Sequence, residues 1–302
     1  LRQSPVPIVW TLRDMWPFTG GCHYTAGCER YVYGCGACPQ LRSSEAEDPS
    51  SATVARKHRA WQGLDITAVP ISDWMAARAK ESQLFQGIPA EVIPNGIDTT
   101  LFRPIGRREA RAAFGLPEEG RVILFSALNA LQDTRKGFWH LAEALEQLPA
   151  GTGPAPELLI AGGMPEGEAP ELPVKTRFVG RIDDDARLAA LYAAADVVAA
   201  PSLQEAFGKV HAEAMACGTP VVAFDSGGPG EILRHRETGY LAEAFDVGDL
   251  ARGLAWCLER TAVSETLGTA ARRRAEAYYD IGVVARRYLA LYDRLLEARH
   301  GR

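Results

Sequence analysis

The chain has 302 residues, enough for about two domains at roughly 100–200 residues each, and its 47% hydrophobic content suffices for packed cores. Lys and Arg number 33 against 38 Asp and Glu, a net charge of −5, which excludes a global electrostatic pull toward nucleic acid. No apolar run approaches the roughly 18 residues needed to span a bilayer. Any membrane contact is therefore expected to be peripheral and the location cytoplasmic, with a station at the inner face of the membrane left open.

The chain opens at Leu1 without a charged leader or a long apolar stretch, so no signal peptide is expected. The strand "VPIVWTL" begins almost at once, as though the chain started within a domain. A Cys- and Gly-rich loop follows over 19–40, then the polar stretch "RSSEAEDPSS", the strand "ITAVPIS", the helix "DWMAARAKESQLF" and the strand "AEVIPNGID". The turn-rich "NGIDTTLFRP" ends at Pro104 and reads as a domain junction.

Beyond Pro104, strands and helices alternate. "RVILFSA" is a strand, "KGFWHLAEALEQL" a helix, "ELLIAGG" and "VKTRFVG" strands, and "DDARLAALYAAA" a helix. "DVVAAPS" is again a strand, "FGKVHAEAMAC" a helix closed by Gly218, and "TPVVAF" a strand. That alternation predicts one complete Rossmann-like α/β domain. From about Asp246 the chain is helical and Arg-rich, with Leu and Tyr recurring at three- and four-residue intervals in "VVARRYLALYDRLLEARH". Its arginines are expected on a solvated face.

The stretch "PSLQEAFGKVHAEAMACGTPVVAF" sets Glu205 and Glu213 eight positions apart. Paired carboxylates suggest glycoside hydrolysis, which needs them about 5–5.5 Å apart for retention or about 6.5–9.5 Å for inversion. A largely helical spacer separates the two backbones by roughly 10 Å, which disfavours a tight pair. A different chemistry fits better. Glu205 follows the carboxyl end of a strand, where open α/β sheets bind ligands, and Phe207, Gly208 and Lys209 start a helix whose first N–H groups lack intrahelical partners. Gly208 has no side chain to keep a diphosphate from its amide. Glu213, further along, could accept two hydrogen bonds from a cis-diol such as a ribose. The set suits a sugar nucleotide. Gly162 and Gly163 read as a turn rather than a phosphate cradle, and "GGPG" at 227–230 alone is a weak signal.

Four of the six cysteines, Cys22, Cys28, Cys35 and Cys38, form a C-x5-C-x6-C-x2-C pattern, whereas Cys217 and Cys257 sit in helix patterns as buried apolar residues. Four thiolates satisfy a tetrahedral structural zinc site, with His23 able to replace one. The spacing is not that of a standard finger, so free thiols and disulfides stay open as alternatives.

Glu205 and Glu213, with the residues between them, resemble the glutamate-x7-glutamate motif of the retaining, GT-B-fold glycosyltransferases of family 4, and the likeness covers nearly the whole chain. "SALNALQDTRKGFWHLAEAL" resembles the family's first donor-domain loop. "RFVGRIDDDARLAALYAAADVVAAPSLQEAFG" and "EAMACGTPVVAFDSGGPGEIL" resemble its nucleotide and sugar loops, and "VIPNGIDTTLFRP" its interdomain linker. The opening "WTLRDMWPFTGGCHYTAGCERYVYGCGACPQL" resembles the bacterial exopolysaccharide, colanic-acid-type branch.

The resemblance implies an α/β chain of GT-B type, with a partial acceptor domain at 1–104, a donor domain at 105–278 and a helix at 279–302 crossing back to the first domain. The implied reaction moves a sugar from a UDP- or GDP-sugar to a saccharide or polyprenyl-linked acceptor with retention, in cell-surface polysaccharide synthesis. Glu205 would lie against the donor sugar, and Lys136, Arg135 and the Gly208 amide would neutralise the leaving diphosphate. Phe207 and Lys209 would flank that site, Glu213 would bind the ribose, and Gly180 and Arg181 would lie beside the base. No cofactor is needed for such catalysis, since Lys and helix amides supply the positive charge.

Two features depart from the family. Arg13 stands where the branch has a His near the reacting sugar, and a guanidinium cannot accept a proton. About a hundred residues of the family's acceptor domain are also not present ahead of Leu1. A non-catalytic sugar-nucleotide-binding homologue or fragment is the alternative reading.

Overall fold

A computed structural model describes residues 6–149, 155–163, 169–259 and 261–300, side chains excepted at 261–265. It divides into two compact units, Leu1–Pro94 with Val284–Arg302, and Asn95–Val283.

In the first unit β1 (Ile8–Leu12) runs parallel to β2 (Ile66–Pro70), with Ile8 opposite Ile66 and Leu12 opposite Pro70. The segment between them carries three short 3-10 turns and α1 (Pro49–Trp61), a helix that the sequence reading did not anticipate. Asp48 caps it by accepting the N–H groups of Ser50 and Ser51, and Pro49 occupies the first turn, where a missing N–H does no harm. Its buried face is only Ser50, Val54 and Lys57, too polar to register as an apolar stripe. Next, α2 (Asp73–Glu81) is capped by Ser72 and stops at Ser82, short of the expected end at Phe85. There the Ser82 hydroxyl donates to the Phe18 carbonyl at 2.7 Å. The expected strand at 90–98 is an extended segment making single bridges at Ala90 and Ile97. Pro89 and Pro94 lack the N–H groups that a continuous ladder would use.

The second unit begins at Asn95, ahead of Pro104, because hydrogen bonds tie 95–104 into it. Ile97 donates to the Tyr279 carbonyl at 2.7 Å, and the Arg272 guanidinium reaches the carbonyls of Thr99, Phe102 and Ala216. After α3 (Arg107–Ala112) come β3 (Val122–Ser126), α4 (Phe138–Glu146), β4 (Glu157–Ala161), β5 (Lys175–Gly180) and α5 (Asp185–Ala194). They are followed by β6 (Val197–Ala199), α6 (Lys209–Ala216), β7 (Val221–Phe224), α7 (Pro229–Ile232), β8 (Gly239–Ala242), α8 (Val247–Leu258) and α9 (Thr261–Tyr278). The strands form one parallel sheet in the order β5-β4-β3-β6-β7-β8, the doubly wound arrangement.

Phe125, Ile160 and Phe224 of this sheet pack with Phe138 and Leu141 of α4 and Leu250 and Leu254 of α8. A buried ion pair anchors the entry to β3. Arg111, 1% exposed, binds Asp196 at 2.7 Å and the Ala194 carbonyl at 3.1 Å, and such full satisfaction is what makes a buried guanidinium tolerable.

Finally α10 (Ile281–His300) joins the first unit from Val284 onward. Its Val284 and Leu291 are buried with Val69 and Ile93, and Tyr288 Oη lies 3.0 Å from Thr11 Oγ1. Among the described residues no helix is long and apolar enough to cross a membrane. Leu291→Ala should destabilise the protein by about 2–4 kcal/mol in urea denaturation, as buried Leu truncations do. Leu289→Ala, at a position 59% exposed, should stay within about 0.5 kcal/mol of wild type. Equal effects would contradict the packing.

Candidate functional site

β3 and β6 are the adjacent strands at which the chain reverses its direction of travel across the sheet. Beyond the carboxyl ends of such a pair the connections diverge and leave a crevice. The loop after β3 holds a 3-10 turn at Thr134–Lys136, capped by the Asp133 carboxylate on the Arg135 N–H. The loop after β6 carries Glu205 and leads into α6. Leu203 N–H donates to the Arg135 carbonyl at 2.7 Å and stitches the two loops together. Gly137, at φ 74°, permits that approach, since a Cβ there would lie 1.9 Å from the Pro201 oxygen. Lys136 Nζ consequently meets Glu205 Oε2 at 2.5 Å, the two side chains 26% and 17% exposed.

Behind Glu205 the "GGPG" turn has a structural role. Gly228 N–H donates to the Glu205 carbonyl at 2.9 Å, and an added Cβ at Gly228 would stand 2.4 Å from the Ala206 oxygen. Gly208 adopts φ 97° as the N-cap of α6, so the first-turn amides of the helix open beside the ion pair. Together Ser126, Lys136, Glu205, Gly208, Lys209 and His211 line a cavity of about 100 Å³.

His211 is the residue that the sequence reading missed. It is 1% exposed, and its ring lies against Gly208, where a Cβ would be 2.6 Å from Nδ1. Burial, with the Lys136 cation adding to it and the Glu205 carboxylate opposing, pushes its pKa down to about 4. The only signal was one polar residue on the apolar face of "KVHAEAMA", and that pattern usually means a core histidine.

Other expected residues of the second unit do not line this cavity. Glu213 is 2% exposed; its Oε2 accepts from the Tyr192 hydroxyl at 2.9 Å, while Oε1 forms an ion pair with Lys209 Nζ at 2.7 Å without a hydrogen bond of good geometry. Burial pushes the Glu213 carboxyl up, while Lys209 and Tyr192 draw it down. The Phe207 side chain is buried edge-to-face on Tyr279, which leaves only its backbone toward the loop. Arg135 pairs with Asp133 at 2.6 Å and Arg181 with Asp183 at 2.6 Å, while the Gly180 carbonyl accepts from Gly162 N–H at 2.9 Å. Arg13 is exposed just beyond β1, in the other unit.

Cys22, Cys28, Cys35 and Cys38 are free thiols that line one cavity of about 280 Å³ in the first unit. Burial pushes the Cys35 thiol up to about 11, and its sulfur accepts the Gly20 N–H at 3.2 Å. His23 turns instead to Asp14 at 2.8 Å. The thiol chemistry suits zinc, but among the described residues no three His, Cys, Asp or Glu side chains are grouped so as to hold a metal ion.

The family model described as "Glycosyl transferases group 1" matches residues 106–274. D-inositol 3-phosphate glycosyltransferase of Saccharomonospora viridis is 30% identical over 285 residues, 89% of this chain and 63% of that protein. Phosphatidyl-myo-inositol mannosyltransferase of Mycobacterium tuberculosis is 35% identical over 219 residues, 68% of this chain and 54% of that protein. Sucrose-phosphate synthase from Thermosynechococcus elongatus has a similar structure, with a TM-score of 0.74 at 27% identity over 98% of this chain and 70% of that one. The Anabaena protein HepE, solved with UDP and glucose, shares the fold at a TM-score of 0.69 and 21% identity, over 95% of this chain and 71% of that one. The chain spans 63% or less of the length of the inositol glycosyltransferase and mannosyltransferase relatives it matches.

The depressed His211 pKa has a consequence for stability. The unfolded chain binds this proton near pH 6.5 and the folded chain only near 4, so acidification through that window favours unfolding. Relative to His211→Leu, the wild type should lose about 2–3 kcal/mol of unfolding free energy between pH 7 and 4.5. Urea titrations at the two pH values measure it, and an unchanged difference would contradict a neutral, buried ring.

Proposed function

The chain belongs to the group 1 glycosyl transferases and has their α/β GT-B fold, and from that premise we propose that its second unit binds the diphosphate of a nucleotide-sugar donor. The whole protein would move the sugar, with retention, to a saccharide or lipid-linked acceptor. The observation that carries this reading is the meeting of Lys136 and Glu205 at 2.5 Å beside the first turn of α6, at the switch point of the sheet. Breaking the bond between sugar and diphosphate builds negative charge on phosphate and positive charge on the sugar ring. A cation and helix amides on one side, with a carboxylate on the other, oppose that separation with groups already in place.

In this proposal Lys136 changes partner. Without ligand it neutralises Glu205, and with donor bound it turns to the diphosphate and leaves Glu205 to face the sugar. Lys209 and Glu213 would make a similar exchange, Glu213 releasing the surface ammonium, 64% exposed, to accept ribose hydroxyls. Arg13 has no part in this reading. A place in exopolysaccharide synthesis rests on the opening residues from Trp10 to Leu41, and the choice of UDP as first probe rests on HepE.

Calorimetric titration with UDP and with GDP tests the proposal. Lys136→Ala should weaken nucleotide binding by about 10- to 100-fold, the scale of a charge-assisted contact of roughly 1.5–3 kcal/mol. Glu205→Gln removes the competing partner of Lys136, so binding should be unchanged or tighter by a few-fold, consistent with about 1 kcal/mol for a part-exposed pair. A folded wild type that binds neither nucleotide, or a Lys136→Ala variant that binds as wild type does, would overturn the reading.

A further inference from the structure

His211 is where the cavity leaves something unexplained. Neither ring nitrogen has a hydrogen-bond partner among the described residues. The Ala200 and Gly208 backbone comes near enough to favour a protonated ring, yet makes no hydrogen bond of good geometry with it. Buried polar atoms are almost always satisfied, and an imidazole with both nitrogens unmet is a costly arrangement to keep. The ring packs close on the Gly208 backbone, where a Cβ would stand 2.6 Å from Nδ1, and it shares the cavity wall with the Lys136–Glu205 pair.

We propose that His211 is a positioning residue for Glu205: when an anionic diphosphate draws Lys136 away, Glu205 turns to the His211 ring, which takes one proton from solvent and holds the carboxylate toward the sugar. This rests on reading the cavity as a diphosphate site. No bond is made or broken, and the proton comes from buffer and returns to it when the ligand leaves.

Three changes act in the same direction. The phosphate cancels the Lys136 charge that disfavours imidazolium, Glu205 loses the cation that competes for it, and a further anion enters the cavity. Each favours the charged ring against the burial that otherwise holds its pKa down to about 4. Lys136 and Glu205 face the ring from the two loops, while Lys209 and Glu213 lie on its own helix and pair with each other at 2.7 Å. Exchange of one partner for another keeps the Glu205 carboxylate paired throughout, and an ion pair opened without a replacement would leave a part-buried charge unmet.

The test is the number of protons taken up when UDP binds, obtained from calorimetry at pH 5.5–6.5 in buffers of different ionisation enthalpy. UDP titrates in this range itself, so wild type is compared with His211→Asn and with Glu205→Gln. Wild type should take up a larger number, by as much as one proton, than either variant, and its affinity for UDP should fall more steeply as pH rises. Equal proton numbers in wild type and His211→Asn, with UDP bound by both, would overturn this proposal while leaving the diphosphate site intact. Failure of wild type to bind UDP or GDP would instead remove the reading on which it rests.

Should His211→Asn not fold, the ring carbons of the six histidines can be followed by NMR titration of wild type alone. One midpoint should rise from about 4 to above pH 6 on adding UDP. No such rise would overturn the proposal.

Discussion

The order of the parallel sheet is the constraint from which the site follows. With β3 and β6 side by side, the chain leaves one strand for the β4–β5 edge and the other for the β7–β8 edge. No connection is then obliged to cover the carboxyl ends of the central pair. The two loops that flank this gap are held by backbone contacts, Leu203 to Arg135 and Gly228 to Glu205. Glycines at 137, 208 and 228 let those contacts close without a colliding Cβ. Lys136 and Glu205 therefore meet through the positions of main chains, and their side chains only complete the approach.

Electrostatics explains why the pair can be kept in a part-buried place. Each charge alone would lose hydration without compensation, whereas together they are neutral and still reachable from the cavity. The same economy recurs at Lys209 and Glu213, where a surface ammonium and the Tyr192 hydroxyl occupy a carboxylate that is 2% exposed. In both places an incoming ligand would meet paired charges and exchange partners with them. Binding then costs less desolvation than it would at a bare buried carboxylate.

The sequence was most legible where apolar periodicity and strand-end chemistry agree. The alternation from β3 to β7 could be read from runs such as "RVILFSA" and "TPVVAF", and the placement of Glu205 at a strand end followed directly. What escaped notice was α1, whose buried face of Ser50, Val54 and Lys57 is nearly polar and whose signal lies in the Asp48 cap. The short β8 and α7 also escaped, since four residues each carry too little periodicity to register. Within the site, spacing alone suggested that Glu213 faces a ligand, and it could not reveal Tyr192, which comes from a different helix. The cysteine spacing showed a cluster. It could not show that all four would line one cavity.

His211 illustrates the limit most clearly. A histidine on the apolar face of a helix is indistinguishable in sequence from a satisfied core residue, because the distinction lies in what its nitrogens find after folding. Here they find no hydrogen-bond partner among the described residues, while a cation and a carboxylate compete across the same small space. Burial is the main force against a proton on this ring, the Lys136 charge adds to it, and the Glu205 carboxylate opposes both. The position of one lysine is thus one of the influences on the charge of the ring. Under the proposed exchange, a ligand that draws this lysine away would favour a proton on the ring, which would link ligand binding to protonation.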